Sequence, residues 1–273
     1  MPPTPPPTPP PTPPPTPPPS PLTALVRRPS TRLAEGLVTH IERRPVDLDL
    51  AFEQWQRYVD ALHDTGWQTV EVPPIDECPD SVFIEDTMVV YGDLAVIARA
   101  GAHERRAEAA AAEETVAAQG YRIAKIKEPG TLDGGDVLKI GSTIYVGQGG
   151  RTNAAGIQQL RDAFAPLGAE VRAVPVQKVL HLKSAVTALP DGTVVGYEPL
   201  VDDPAAFDVF RAVPEEAGAH VVLLNDDRLL MAASAPKSAQ LFEGLGYRPI
   251  VVDISEFEKL EGCVTCLSVR LRR

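Results

Sequence analysis

Four segments of this 273-residue chain carry side chains whose types and spacing could do chemistry. The first, PDSVFIED at 79–86, sets Asp80, Glu85 and Asp86 among apolar Val82, Phe83 and Ile84. Carboxylates in apolar surroundings suit a planar cation, gripped through paired charge-assisted hydrogen bonds; the plainer reading is a loop in which Asp80 caps a helix. The second, LDGGDV at 132–137, follows Asp133 with paired glycines, which permit a close backbone approach or simply a turn. It lacks the lysine–serine of a phosphate loop and adds negative charge, so phosphate is a poor ligand for it. The third, VLHLKS at 179–184, flanks His181 with leucines. Such a histidine is either a satisfied core residue or a general acid/base, and the second role needs a carboxylate partner. Asp133 is the candidate.

The fourth segment, EGCVTCLSVR at 261–270, holds Cys263 and Cys266. A C-x-x-C pair invites a zinc or redox reading. Zinc usually takes four ligands, and no second such pair exists in the sequence. A thioredoxin-type pair opens a helix, whereas this run alternates like a strand, so thiols three residues apart should face opposite sides. One cysteine is then buried filler and the other functional. Two arginines complete the set: Arg105 and Arg151 each stand near the start of an expected helix, where the macrodipole disfavours them. They are either ordinary surface residues or the holders of an anionic group such as a carboxylate.

The elements that must position these segments follow a repeating layout. An apolar strand at 24–28 precedes a helix over 47–64, spaced by Leu48, Phe52, Trp55, Tyr58, Val59 and Leu62 and stopped by Gly66, and then a strand at 68–72. A hairpin at 88–99 turning on Gly92-Asp93, a helix over 103–119 and a strand at 121–126 come next. The pattern returns as hairpin 137–146, helix 153–167 and strand 170–174, then as hairpin 185–197 with a weaker helix at 205–211. Its last form is hairpin 221–231, helix 237–244 and strand 249–253. The final strand, expected over 264–271, would pair with 24–28 and close a ring. About five strand–strand–helix–strand units of about 50 residues predict an α/β fold closed as a propeller, with a mixed α/β sandwich as the alternative. The four chemical segments fall at junctions between units, where a ring gathers its loops around a central channel.

Composition bounds the rest. Hydrophobic residues are 44% and charged ones 23%, enough for a sizeable core. Residues 1–21 form a proline-rich run that cannot pack; an extended tail or a ligand for proline-binding modules is expected there, outside a single catalytic domain at 22–273. That run has neither the basic start nor the apolar core of a signal peptide. A net charge of −11 argues against nucleic acid and anionic membrane as partners, and no segment is long and apolar enough to span a bilayer. Three cysteines make no disulfide framework and fit a reducing cytoplasm. A homodimer is compatible with all of this.

Taken together, PDSVFIED at 79–86, RAGAHERR at 99–106, TLDGGDVL at 131–138, GGRTN at 149–153, LHLKS at 180–184 and TCLSVR at 265–270 resemble the dimethylarginine dimethylaminohydrolases, guanidine-modifying enzymes of the five-bladed pentein fold. RPSTRLAEGLVTH at 28–40 fits that family's N-terminal strand and lid region. The resemblance implies cysteine-dependent hydrolysis of Nω-methylated arginine to citrulline and dimethylamine or methylamine, through a covalent thiouronium and without cofactor or metal. It implies Cys266 as nucleophile, His181 as acid and then base, and Asp133 as the group orienting His181. Glu85 and Asp86 would bind guanidinium nitrogens, Asp80 the substrate's polar end, and Arg105 and Arg151 its carboxylate. Leu37 and Leu260 would give backbone contacts, with Phe83 and Glu261 completing the pocket and Cys263 a bystander. Relatives often carry aspartate where this chain has Glu261. Alternatives are arginine deiminase-like hydrolysis of unmethylated arginine and a non-catalytic binder of arginine derivatives.

Overall fold

The computed structural model describes residues 22–225 and 227–272, so the expected proline-rich tail lies outside the described residues. Strand β1 (Thr23–Val26), helix α1 (Leu48–Asp64) and strand β2 (Gln68–Glu71) open the chain. Asp47 caps α1 by accepting from Leu50 N at 3.1 Å, and the helix buries Trp55, Tyr58, Val59 and Leu62, the apolar face that its spacing dictates. The second unit is β3 (Met88–Tyr91), β4 (Leu94–Ile97), α2 (Ala109–Ala118) and β5 (Arg122–Lys125). The third is β6 (Val137–Ile140), β7 (Thr143–Gln148), α3 (Ala154–Phe164) and β8 (Glu170–Pro175). The one-turn helix α4 (Leu182–Ala185) leads into β9 (Val186–Ala188), β10 (Val194–Gly196) and β11 (Phe210–Ala212). The fifth unit is β12 (Val221–Leu223), β13 (Arg228–Ala232), α5 (Pro236–Gly244) and β14 (Arg248–Val252), after which α6 (Ser255–Glu258) and β15 (Val269–Leu271) end the chain.

These strands make five three-stranded sheets among the described residues. In each, an antiparallel pair is followed by a crossover to a third strand lying parallel to the middle one. The first sheet borrows its antiparallel strand from the other chain end: β15 pairs with β1, Thr23 opposite Leu271. The five apolar clusters then show that the blades form a ring. One cluster joins Leu25 and Val269 of the first blade to Met88 and Ile97 of the second. The next three join Val96 to Ile144, Tyr145 to Val186, and Val195 to Leu229. The last returns from Val222 and Leu230 to Ala24 and α1, closing the circle. Trp67 reinforces that seam by donating its indole N–H to Leu224 O at 3.0 Å. The cores lie between blades, so no blade can bury its apolar faces alone. Among the described residues, no helix is long and apolar enough to cross a membrane.

Three sequence expectations change. The helix expected at 205–211 is a 3-10 turn at Pro204–Ala206 followed by strand β11, because Phe207 packs on Tyr145 and enters the blade-to-blade core instead of a helical face. The helix expected over 103–119 begins as a 3-10 turn, His103–Glu108, before α2. The strand expected over 264–271 shrinks to β15; residues 263–268 form a buried turn, closed by Cys266 N donating to Cys263 O at 3.0 Å. Apolar alternation there marks a turn packed on both sides.

Tyr58 of α1 holds this turn. Its fully buried hydroxyl donates to Val264 O at 3.0 Å and shares a 2.7 Å bond with Ser268 Oγ. Tyr58→Phe keeps the ring's packing but removes the donor to Val264 O, and is expected to cost about 1–3 kcal/mol. Urea unfolding checks this. A midpoint unchanged from wild type would mean that the turn does not depend on α1.

Candidate active site

The junctions between blades bring the four chemical segments to one mouth of the ring. Leu37, Asp80, Phe83, Asp86, Arg105, Arg151, His181, Leu260, Glu261 and Cys266 line a single cavity of about 20 Å³, with Leu180 and Gly262. Asp133 sits directly behind it, fully buried, its Oδ2 3.0 Å from His181 Nε2. The other face of the imidazole looks at Asp86, with Nδ1 3.8 Å from Oδ1. Paired glycines let these loops approach. A Cβ on Gly134 would lie 2.0 Å from Glu85 O, and one on Gly135 would lie 2.7 Å from both Asp86 Oδ1 and His181 Nδ1. The LDGGDV segment is therefore a close-approach loop as well as a turn.

The charges form a chain. Asp86 accepts from Arg105 Nη1 at 2.6 Å and from Gly135 N at 2.8 Å. Burial pushes its carboxyl up, but His181, Arg105 and the Gly135 N–H together outweigh burial and hold it at about 2. Burial likewise opposes charge on His181, yet Asp86 and Asp133 prevail and raise it to about 9, so the ring is an imidazolium at neutral pH. Asp136, left unassigned within the LDGGDV segment, accepts from Thr152 Oγ1 at 2.6 Å and from Leu182 N at 2.9 Å. It thereby fixes the backbone that carries His181. Burial pushes its carboxyl up to about 6, against the opposing pull of His181. Its signal in the sequence was an aspartate behind two glycines, indistinguishable from a turn residue.

The remaining side chains divide into those facing the cavity and those bracing it. Arg105 is buried and already committed: beside Asp86 it donates to both Glu108 oxygens at 2.9 and 2.8 Å and to Asp80 O and Phe83 O. It acts first as the brace of the carboxylate loop, with Glu108 an unforeseen partner. Arg151 is freer, 3.8 Å from Asp133 Oδ2. Asp80 accepts from Leu37 N through both oxygens at 3.1 and 3.0 Å, tying the 36–40 loop over the cavity. Glu261 accepts from Thr39 N at 2.8 Å and His40 N at 2.6 Å, and holds φ +61°, a conformation that costs a non-glycine residue on the order of 1 kcal/mol. Glu85 departs from expectation. Its carboxylate pairs with Lys183 Nζ at 2.6 Å and Arg270 Nη2 at 3.0 Å, and it lines a separate cavity of about 440 Å³. Consecutive residues in a tight turn point apart, so of this pair Asp86 lines the cavity that Cys266 also lines.

The cysteines are the main correction. Their sulfurs are 3.2 Å apart and both are buried, because they lie in a turn and not on opposite faces of a strand. The pair shares a proton. Cys263 is drawn down to about 6 by its hydrogen bond with Cys266, while Cys266 is pushed up by that same partner, by burial and by the carboxylates of Glu85 and Asp86. A cation beside Cys266 would reverse that balance. Among the described residues, one group could also offer ligand atoms to a metal: Asp86, Asp133 and His181, within 4.8 Å of one another. Arg105, Gly135 N and Gly101 N already occupy its carboxylates, so the set is built as an ion-pair network.

The charge on His181 has a measurable consequence. Its folded pKa lies above the usual 6.5, so its contribution to stability is complete below that pH and is lost as pH rises through about 9. The stability difference between wild type and His181→Asn, from urea unfolding, is therefore expected to shrink from about pH 6 to about pH 10. A difference constant over that range would show that His181 is neutral.

Comparison with known proteins gives the arrangement its context. The N(G),N(G)-dimethylarginine dimethylaminohydrolase of Streptomyces coelicolor is 70% identical over 249 residues, covering 91% of this chain and 96% of the relative. The enzyme of that name from Pseudomonas aeruginosa is 34% identical over 251 residues, covering 90% and 98%. A solved structure of dimethylarginine dimethylaminohydrolase from Pseudomonas aeruginosa, a cysteine-to-serine mutant complexed with citrulline, superposes with a TM-score of 0.85 at 33% identity, over 91% of this chain and 98% of that one. The family model described as "RESC5: RNA-editing substrate-binding complex 5 protein" matches residues 22–199, a span that ends before Cys266. The chain therefore belongs to the dimethylarginine dimethylaminohydrolase family, a member of the pentein superfamily whose domain the RNA-editing family model also matches.

Proposed function

We propose that the chain hydrolyses Nω-methylated arginine, the asymmetric dimethyl or monomethyl form, to citrulline and dimethylamine or methylamine. The observation that carries this reading is one cavity bringing together Cys266, the His181–Asp133 pair and the Asp86 carboxylate. Guanidinium is a poor electrophile because its charge is delocalised, so the protein must fix its plane and present a strong nucleophile. Asp86 binds the cation. The cation in turn lowers the cost of charge on Cys266, and the thiol proton passes to solvent as substrate seats. Cys266 Sγ adds to the guanidinium carbon, and the His181 imidazolium gives its proton to the departing methylated nitrogen. That leaves a thiouronium on Cys266 and a neutral imidazole, which takes a proton from water as the oxygen adds to the same carbon. Collapse breaks the C–S bond and releases citrulline. Asp133 keeps the imidazole oriented throughout, and Asp136 holds its backbone.

Arg151 takes the substrate carboxylate, with Arg105 contributing through its bracing of Asp86 and Asp80. Leu37, Leu260, Phe83 and Glu261 form the wall and lid. Three free thiols support a reducing, cytoplasmic setting, and the acidic net charge supports a small cationic molecule as partner over nucleic acid. A homodimer is the assembly compatible with this reading.

Citrulline release from asymmetric dimethylarginine is expected for the wild type, and Cys266→Ser is expected to lose at least about 1,000-fold in kcat. The kcat/KM for the dimethylated substrate is expected to exceed that for arginine. A higher value for arginine would move the enzyme to the deiminase class, and saturable binding without turnover by pure wild type would make it a binder.

A further inference from the structure

We infer that Cys263 is a second reactive residue, which captures a hydroperoxide-oxidised Cys266 as a disulfide and so stops the enzyme reversibly. The inference rests on Cys266 being the reactive thiol of the site, and goes beyond it by giving Cys263 a chemical role. Cys263 does not itself line the substrate cavity, yet its sulfur lies 3.2 Å from that of Cys266, inside the van der Waals separation of two sulfurs. A disulfide needs an S–S distance of about 2.05 Å and Cα atoms about 4.4–6.8 Å apart. The Cys266 N–Cys263 O bond of 3.0 Å makes residues 263–266 a turn, which holds the two Cα atoms within about 7 Å. The gap left between the two sulfurs is about 1 Å. A cysteine serving only as small apolar filler would be satisfied by hydrocarbon neighbours; this one is hydrogen-bonded to Cys266 and to the Thr265 hydroxyl at 3.2 Å.

The site selects its oxidant by size. With the 36–40 loop tied down, the cavity at Cys266 measures about 20 Å³, room for one water-sized molecule. Hydrogen peroxide is close to that size, whereas an arginine derivative must wait for the loop to open. Cys266 passes its proton to Cys263 along their hydrogen bond as its sulfur attacks one peroxide oxygen, forming S–O and breaking O–O. The departing hydroxide takes a proton from His181 and leaves as water. Cys263 Sγ then attacks Cys266 Sγ, forming S–S and breaking S–O, and gives its own proton to the departing hydroxide, which leaves as the second water. Two thiols are oxidised by two electrons, and one peroxide is reduced to two waters. Without Cys263 the sulfenic acid would wait in the cavity and advance to sulfinic acid, which thiols do not reverse. Cys78 is an internal control: its thiol points to Glu104 O at 3.7 Å and belongs to no pair.

The test uses the full chain, reduced, desalted and treated with stoichiometric hydrogen peroxide. The expected result is loss of citrulline release, loss of about 2 Da in intact mass, and a Cys263–Cys266 crosslink in a non-reducing digest, with dithiothreitol restoring activity. Cys263→Ser, with Cys263→Ala as a second variant should serine disturb the turn, is expected to lose activity to peroxide without recovery and to gain two or three oxygens on Cys266. The inference is overturned if wild type forms no crosslink, or if both variants recover with dithiothreitol as fully as wild type. Mass and crosslink are read without substrate. A protein that forms the crosslink but releases no citrulline when reduced would therefore overturn the proposed hydrolysis and leave the thiol pair standing.

Discussion

A buried imidazolium clamped between two carboxylates is the interaction from which the rest of the site follows. Burial alone would leave His181 neutral, and burial alone would leave Asp86 protonated. Each keeps its charge because the other does, and Arg105 extends the mutual support to Glu108 and to the carbonyls of the 80–83 loop. Breaking one member of such a network leaves an uncompensated charge in a dry place, which costs more than the bond itself contributes. The network therefore does two things with one set of atoms. It makes the proton on His181 available at neutral pH, and it fixes where Asp86 presents its charge to a cation.

That network is assembled from chain segments far apart in sequence, and the ring is what brings them together. Asp86, Asp133 and His181 each stand just before the first strand of a blade, at the end facing the same mouth. Cys266 occupies the corresponding place before β15, the strand the first blade takes from the chain's far end. The proposed nucleophile is therefore positioned only once the two ends of the described chain have met. Long-range pairing of that kind forms slowly because loop closure precedes its reward. Tyr58 on α1, Trp67 beyond it and the cluster joining the fifth blade to the first all stabilise this last seam.

The fold was legible because its signals are local: hairpin turns, helix spacing and Gly stops recur at a fixed period, and each is decided within a few residues. It failed where a local pattern has two physical solutions. Apolar residues at 207 and 210 fit either a helix face or a blade seam, and the aromatic contacts of Phe207 and Phe210 decided for the seam. The alternation over 264–271 fits a strand or a buried turn, and Tyr58, 206 residues earlier, decided for the turn. Site residues were legible as chemical types and less so as roles. Arg105 reads as a free cation until Glu108 is placed beside it, Glu85 as a twin of Asp86 until Lys183 and Arg270 draw it away, and Asp136 as a turn residue until Thr152 and Leu182 arrive.

The loop over the cavity ties substrate charge to access. With Asp80 holding Leu37 N and Glu261 holding Thr39 N and His40 N, the space beside Cys266 is too small for any arginine derivative. Entry requires those backbone bonds to open, and both anchors are carboxylates, the groups that an incoming ammonium would engage. Under the proposed function, a substrate bearing a positive α-amine can replace the bonds it breaks, whereas a neutral molecule of the same size cannot. Selection for a cationic amino acid is then, under the proposed function, built into the lid as well as into the pocket beneath it, and a water-sized molecule escapes that selection because it needs no opening.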